Sequence, residues 1–463
     1  MGRIRFFGAI IILSLIIQAA YFGDVKSMFG DSAFTVFKIL NFESIPVEHD
    51  RYAGAIVNIP AYLGMYFDAP ISLIFKLYAI GPWLLILGVF SLLVYLKRPV
   101  ESLTLVISLV WFMRESFFIT TEVPAAVSFS LLFSVFLWWQ NNNQIVRDWR
   151  PVLIGLLGVI GAVFSHPIGL ILVSFLLVLK FTDSIKEFRK WWYFAIPLLI
   201  VILLKSAFFS TSSYEESFYT KLFKDITWVQ GFTDLYSVQF FFKAQNGMYL
   251  LLILLWILAL FRLNTNEARP TFLFSLIGLP VLWVLVMVTF KEGDVNPMME
   301  KSYLAIVMPV VFVFIFRSYQ LYKGIGGMVF LSFWVISLIS ISNIAKIGNE
   351  VYAKRLNRLE KLVTMQQRTG HDKFYVEKAQ IKGDVWLTHW ALPFETLLMS
   401  LEKNGVGKLT VLDMSTRNLP NLNSHQYYGP DWFGAWDVNT LNKKYFSLSK
   451  SEWVKIGSLD FVE

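Results

Sequence analysis

The chain has 463 residues, of which 56% are hydrophobic and only 16% charged. A soluble domain cannot hide that much apolar surface, so most of the chain must use lipid as its solvent. The formal net charge of +8 then reads as basic residues held on the cytoplasmic side of a membrane, not as a nucleic-acid surface, and the lack of cysteine excludes disulfides and zinc–cysteine sites.

Apolar runs of about 15–25 residues mark the membrane spans. They fall near 5–22, 71–96, 102–118, 124–140, 151–165, 167–181, 191–210, 248–262, 271–290, 303–317 and 327–343, about eleven in all. The first is read as a retained span, not a cleaved signal peptide, because many spans follow it. Between it and the second lies a long external loop, 23–70. Its residues Phe34, Phe37, Ile39 and Leu40 fall on one side after Asp31, which predicts a helix lying along the membrane surface. Asp31, Glu43, Glu48 and Asp50 sit in or beside that helix. They place an acidic group at the mouth of a membrane-embedded cavity.

The run 152–180 is too long for one untilted span, and Ser165-His166-Pro167 interrupts it. Proline removes a helix donor and restricts the residue before it, so either two short spans or one kinked helix fits. The two-span reading puts Arg3 and Arg5, Lys97 and Arg98, Arg147 and Arg150, the run Lys186/Arg189/Lys190, Arg262 and Arg269, and Arg317 and Lys323 on one side, which should be cytoplasmic. The first loop, Glu115 to Glu122, His166, the aromatic loop 211–247 and the turn 292–300 then face the other side. So does the tail, although it opens with Lys346, Lys354, Arg355, Arg358 and Lys361. The tail itself, 344–463, predicts a small α/β domain. A helix over 349–367, a strand over 384–389, a helix over 393–403 and a strand over 408–413 follow in order. It has no glycine-rich phosphate loop.

Acids and histidine near span ends are the informative class, because charge near lipid is costly. Asp31, Glu48 and Asp50 can serve as a general base or hold a divalent cation, or can simply be solvated. Arg114, Glu115 and Glu122 can close an acidic pocket or bind a lipid phosphate; the alternative is a capped turn, with Glu122 and Pro124 starting a helix. His166 sits at a turn, where histidine is more often structural. Glu300, Lys301 and Tyr303 open a late span, where a cation can grip a phosphate.

This order of features resembles the GT-C class of integral-membrane glycosyltransferases, which take sugars from polyprenyl-phosphate carriers. Gly30-Asp31-Ser32-Ala33-Phe34 looks like the acidic motif of that class's first external loop. In another register, Glu48-His49-Asp50-Arg51-Tyr52-Ala53 looks like the motif of the lipid A aminoarabinose transferase branch. Thr121-Glu122-Val123-Pro124 sits where the family often has a second acid. The stretch from Gly161 through His166-Pro167 to Gly169 is similar to its short inter-span turn. Glu300 through Tyr303 to Pro309 is similar to its late-span motif, with Ser302 where the family has arginine and Lys301 beside it.

The resemblance implies an α-helical polytopic fold over 1–343 with an external α/β domain over 344–463. It implies inverting sugar transfer from a polyprenyl-phosphate-linked donor, with Asp31, favoured over Glu48 or Asp50, as base. Glu115 and Glu122 would form a second acid site for acceptor or metal. Arg114, His166, Lys301 and Tyr303 would hold the donor phosphate. A divalent cation, Mg or Mn, would sit at Asp31 and Glu122 if one is used. The setting implied is a bacterial inner membrane, with the N-terminus cytoplasmic and the C-terminal domain periplasmic. A polysaccharide polymerase or ligase, a lipid-carrier flippase or transporter, and a non-catalytic membrane subunit are the rival classes.

Overall fold

The structure, a computed structural model, describes residues 2–139, 149–183, 191–208, 231–243, 247–265, 268–289, 296–321, 326–376, 389–414, 422–429 and 434–456. The chain is mainly helical. Helix α1 covers Gly2–Tyr21, and the first loop holds α2 (Gly23–Ser27), α3 (Asp31–Phe42), α4 (Tyr52–Ala55) and α5 (Ile59–Tyr66). The bundle continues with α6 (Ile71–Tyr95), α7 (Pro99–Trp111), α8 (Val123–Leu137), α9 (Trp149–Val163), α10 (Pro167–Asp183) and α11 (Trp191–Phe208). It is completed by α12 (Tyr236–Lys243), α13 (Leu250–Leu263), α14 (Arg269–Thr289), α15 (Asn296–Leu321) and α16 (Gly326–Ile347). Among the described residues, three helical stretches are long and apolar enough to cross a membrane: Ile71–Tyr95, Arg269–Thr289 and Pro297–Ser318. Further apolar helices, including Val123–Leu137 and Trp149–Val163, are shorter in their described parts.

Two boundaries follow directly from backbone chemistry. The run 152–180 resolves into α9 and α10, separated by a short turn ending at His166, because Pro167 can open a helix but not continue one. The expected span 102–118 instead ends at Trp111. A separate one-turn 3-10 helix, Glu115–Phe118, follows it.

The bundle core is built from α1 and α6–α16, with Phe112, Phe117, Tyr249 and Tyr303 among its buried side chains. A second core lies at one end and joins the first loop to the C-terminal domain. Phe34, Phe37 and Leu40 of α3 meet Phe394, Leu397, Tyr427 and Phe446 there. The ring centroids of Phe37 lie 5.3 Å from Phe394 and 5.4 Å from Phe446. The helix expected to lie along the membrane surface is therefore clamped under the C-terminal domain. Its apolar face was correctly readable, but periodicity does not say what covers a face. The exposed apolar stripe in this loop belongs to α4–α5 instead. Tyr52, Ile56, Ile59, Leu63 and Tyr66 recur at helical spacing and are 50%, 43%, 38%, 45% and 66% exposed.

Helix α16 runs without a break through a π-helical turn, Gly348–Tyr352, into α17 (Ala353–Thr369). The expected boundary at 343 thus falls inside a continuous helical rod. The C-terminal domain has β1 (Lys373–Val376), α18 (Leu392–Asn404) and β2 (Thr410–Asp413), with β5 (Val454–Lys455) on the far side of β1. Strands β1 and β2 pair in parallel, Phe374 opposite Val411, and a parallel pair requires a crossover such as α18. The hairpin β3 (Gln426–Tyr428) and β4 (Ala435–Asp437) is antiparallel. The helix and second strand expected here are found. The expected strand over 384–389 lies outside the described residues except for His389, which is in a 3-10 turn. Strand β1 was not anticipated.

Candidate functional site

The N-terminus of α3, the loop before α4, the start of α8, the α9–α10 turn and the start of α15 converge at the end of the bundle that faces the C-terminal domain. Asp31 is the first residue of α3. Gly30 before it has φ 55° and ψ −130°, a conformation open only to glycine in practice, and its carbonyl accepts the amides of Ala33 and Phe34 to start the helix. The Asp31 side chain is 41% exposed, and its Oδ2 lies 3.6 Å from Nζ of Lys301. Behind it, the amide of Thr120 donates to Oγ of Ser32 at 3.0 Å, and Ser32, Thr35 and Thr120 surround the Tyr78 hydroxyl.

Glu122 sits at the N-cap position of α8, and its Oε2 is 3.7 Å from Nη1 of Arg51. The close approach of α4 makes this possible. A Cβ at Gly54 would stand 2.4 Å from Cγ of Glu122 and 3.1 Å from the Ser165 carbonyl oxygen, so only glycine fits. The amide of Ala53 donates to the Phe164 carbonyl at 3.1 Å, which ties this loop to the α9–α10 turn. In that turn, Nδ1 of His166 accepts the Ile168 amide at 3.2 Å. Burial holds the His166 imidazolium well below its ordinary range, and the nearby charges of Arg51, Lys301, Lys205 and His49 push it further down. Lys205, near the end of α11, donates to the Val163 carbonyl at 3.0 Å. Two carboxylates thus face a gathering of cations, an arrangement suited to an anion beside a base.

The remaining expected residues divide. Arg114 and Glu115 lie by Glu300 instead, in a neighbouring cluster. Oε2 of Glu300 accepts the amides of Arg114 and Ser116, both at 2.8 Å, and the Ser116 hydroxyl at 2.9 Å. Burial pulls the Arg114 guanidinium down, which Glu300 partly offsets. Glu48 is bound to Lys38 on α3 at 2.5 Å, and Asp50 sits in a left-handed turn, φ 58°. Neither is brought to the Asp31–Lys301 pair by a described contact. Tyr303 is 1% exposed, within the aromatic cluster of Phe240, Phe241 and Tyr249, and spends its hydroxyl on the Ser237 carbonyl at 2.5 Å. It is a core residue rather than a phosphate ligand, because the late-span motif leaves helix phase undetermined.

No group of three or more His, Cys, Asp or Glu that could hold a metal is found among the described residues. Asp31 and Glu122 each face a cation, at 3.6 and 3.7 Å, so this donor set does not fit Mg or Mn.

Two further residues of this cluster had weak sequence signals. Lys205 interrupts an apolar run, and Arg51 follows the acids of the first loop. Lys26 had none. It is fully buried with its Nζ donating to the Phe117 carbonyl, 4.3 Å from the Phe117 ring centre, and burial pushes its ammonium down to about 7. No protein-family model matches the chain, and neither a curated protein nor a solved structure does.

Proposed function

We propose that the chain is a membrane glycosyltransferase that moves a sugar from a polyprenyl-phosphate-linked donor to a lipid, glycan or protein acceptor. The observation that carries this reading is the meeting of Asp31 with Lys301, Arg51, Glu122 and His166 at one end of an apolar bundle. A lipid phosphate needs cations at membrane depth, and an acceptor hydroxyl needs a carboxylate beside them.

In this mechanism Asp31 takes the proton of the acceptor hydroxyl as its oxygen attacks the anomeric carbon. The bond from that carbon to the phosphate oxygen breaks, with inversion. The phosphate leaves on the lipid, and Lys301, Arg51 and His166 balance its charge. Glu122 holds Arg51 in place. The acid that opens α3 is preferred over Glu48 and Asp50, since it alone has a described contact with a site cation from another part of the bundle, Lys301 of α15.

The membrane reading extends to about eleven spans. Lys180, Asp183, Arg98 and Arg317 lie at the helix ends opposite the site, with Arg317 bound to Asp183 at 2.5 Å. That supports a cytoplasmic opposite end and N-terminus, and an external site in a bacterial inner membrane.

The test is direct. Protein in nanodiscs is titrated with polyprenyl monophosphate, then assayed with a panel of polyprenyl-phosphate sugars. Lys301→Met and Arg51→Met should weaken phosphate binding at least tenfold. Asp31→Asn should bind normally but transfer about 10²–10⁴-fold more slowly. Equal binding by all of these, or full transfer by Asp31→Asn, would overturn the assignment.

A further inference from the structure

We propose that Glu395, held by Arg355, is a positioning residue for Asp31, so that the C-terminal domain completes the site instead of merely covering it. The inference rests on the reading of Asp31 as a functional acid, but its test does not require transfer activity.

The geometry is specific. Oε1 of Glu395, on α18, accepts the amide of Gly30 at 2.9 Å. Its Oε2 accepts Nη2 of Arg355, on α17. Both side chains are almost completely buried, at 0% and 3% exposure. The same guanidinium lies 5.0 Å from the centre of the Phe29 ring, which meets the Tyr352 ring edge-on at 5.1 Å. Residues more than 300 positions downstream therefore grip the backbone at Phe29 and Gly30, directly before the acid.

This grip acts on a backbone conformation that only glycine adopts readily. The φ of Gly30 is 55°, and its amide donates to the Glu395 carboxylate. Without the Glu395 carboxylate, that buried amide would lose its acceptor and the glycine would be free to relax to other conformations. The first residue of α3 would move with it, and Asp31 is that residue. A buried ion pair is costly unless its geometry is needed, and replacement by apolar residues is often tolerated. A pair that also holds the amide before a functional acid has such a use.

The chain has no cysteine, so a single thiol can report on position 31. Asp31→Cys is labelled with an anionic methanethiosulfonate across pH, and Glu122→Cys serves as reporter on the opposite wall. Beside Lys301, the thiol at 31 should form thiolate readily and react quickly. Adding Glu395→Gln, whose one carbonyl oxygen is drawn to the Arg355 guanidinium so that its NH2 faces the Gly30 amide, should slow labelling at 31 by about tenfold and shift its pH profile upward, while labelling at 122 is unchanged. The double variant Arg355→Leu/Glu395→Leu, which leaves no lone buried charge, should do the same and guards against misfolding of the single variant. Unchanged labelling at 31 in both backgrounds, or equal changes at 31 and 122, would overturn the proposal. If the thiols behave as expected but Asp31→Asn transfers normally, positioning stands and the base assignment fails.

Discussion

Glu300 offers a sharp test of how the site is held, because three hydrogen bonds end on one of its oxygens. The amides of Arg114 and Ser116 and the Ser116 hydroxyl all donate to Oε2, and the residue is 1% exposed. Glu300→Ala would orphan three donors, the two of Ser116 buried and that of Arg114 half-buried. Each costs about 1–3 kcal/mol when left unsatisfied, so the loss should exceed about 4 kcal/mol even after some relaxation. Glu300→Gln keeps one carbonyl oxygen that can occupy the same place. It loses the charge assistance, which roughly doubles such bonds, and the attraction to Arg114, so its cost should be about 2 kcal/mol. Thermal unfolding in one detergent, with sugar transfer measured alongside, separates the two. Gln should fold and retain most activity, while Ala should be poorly folded. If Gln is as damaging as Ala, or folds normally but is inactive, then Glu300 acts through its charge and the anchoring argument is refuted.

Four further outcomes are expected. The buried ammonium of Lys26, pushed down to about 7 from an ordinary 10.5, favours the neutral form in the folded chain. Stability should be greatest above pH 10.5, fall as pH drops toward 7 and level off below it, and Lys26→Met should flatten that slope in unfolding measured against pH. His166 is held neutral by burial and the neighbouring cations, so folding stability should fall as pH drops below 6.5. Phosphate binding should then take up a proton, seen as a buffer-dependent binding heat that His166→Asn abolishes. Gly54→Ala drives a methyl group into Glu122. Overpacking of this kind costs about 1–3 kcal/mol, and phosphate affinity should fall as Arg51 loses its partner. Leu63→Cys carrying a spin label should be accessible to oxygen and shielded from a water-soluble nickel chelate if the α4–α5 stripe faces lipid. The reverse would refute that placement.

Much of the helical order was legible because the hydrophobic pattern and proline carry it locally. The break at Pro167 and the start of α8 at Glu122 and Pro124 follow from rules that involve only neighbouring residues. The site was half legible. Asp31, Glu122, His166 and Lys301 stand out because acids, histidine and lysine at the ends of apolar runs are costly. Which of them meet was not legible, because pairing depends on how helices are phased around the bundle. Glu48 and Asp31 are equally acidic in sequence, yet Lys38 takes one and Lys301 faces the other. Tyr303 and Lys301 are two residues apart, but a helix turns about 200° over that distance, so one enters the core and the other the site. Lys26 was invisible because its acceptor is a backbone carbonyl far along the chain.

The basic start of the C-terminal region stands against an external location: Lys346, Lys354 and Lys361 stay exposed, while contacts enclose Arg355. The positive-inside preference concerns charges left facing the membrane surface. Arg355 is instead enclosed by Glu395, and Lys403 and Glu360 pair at 2.7 Å within the same domain. The domain also cannot lie on the opposite side from the first loop. Asn442 donates to the Leu40 carbonyl and to Glu43, each at 2.9 Å, and Lys444 pairs with Asp68. These contacts bind the tail to the segment between α1 and α6, so both share one side of the bundle whichever way the chain is inserted. Orientation then rests on the opposite end, where Arg98, Lys180 and Arg317 stand with Asp183. Adding lysines beside α10 at that end should leave the topology unchanged, whereas adding them to the α9–α10 turn should disturb it. Accessibility of engineered cysteines at Asp68 and Asp183 from the two sides of sealed vesicles would decide it: labelling of both from the same side would refute the arrangement.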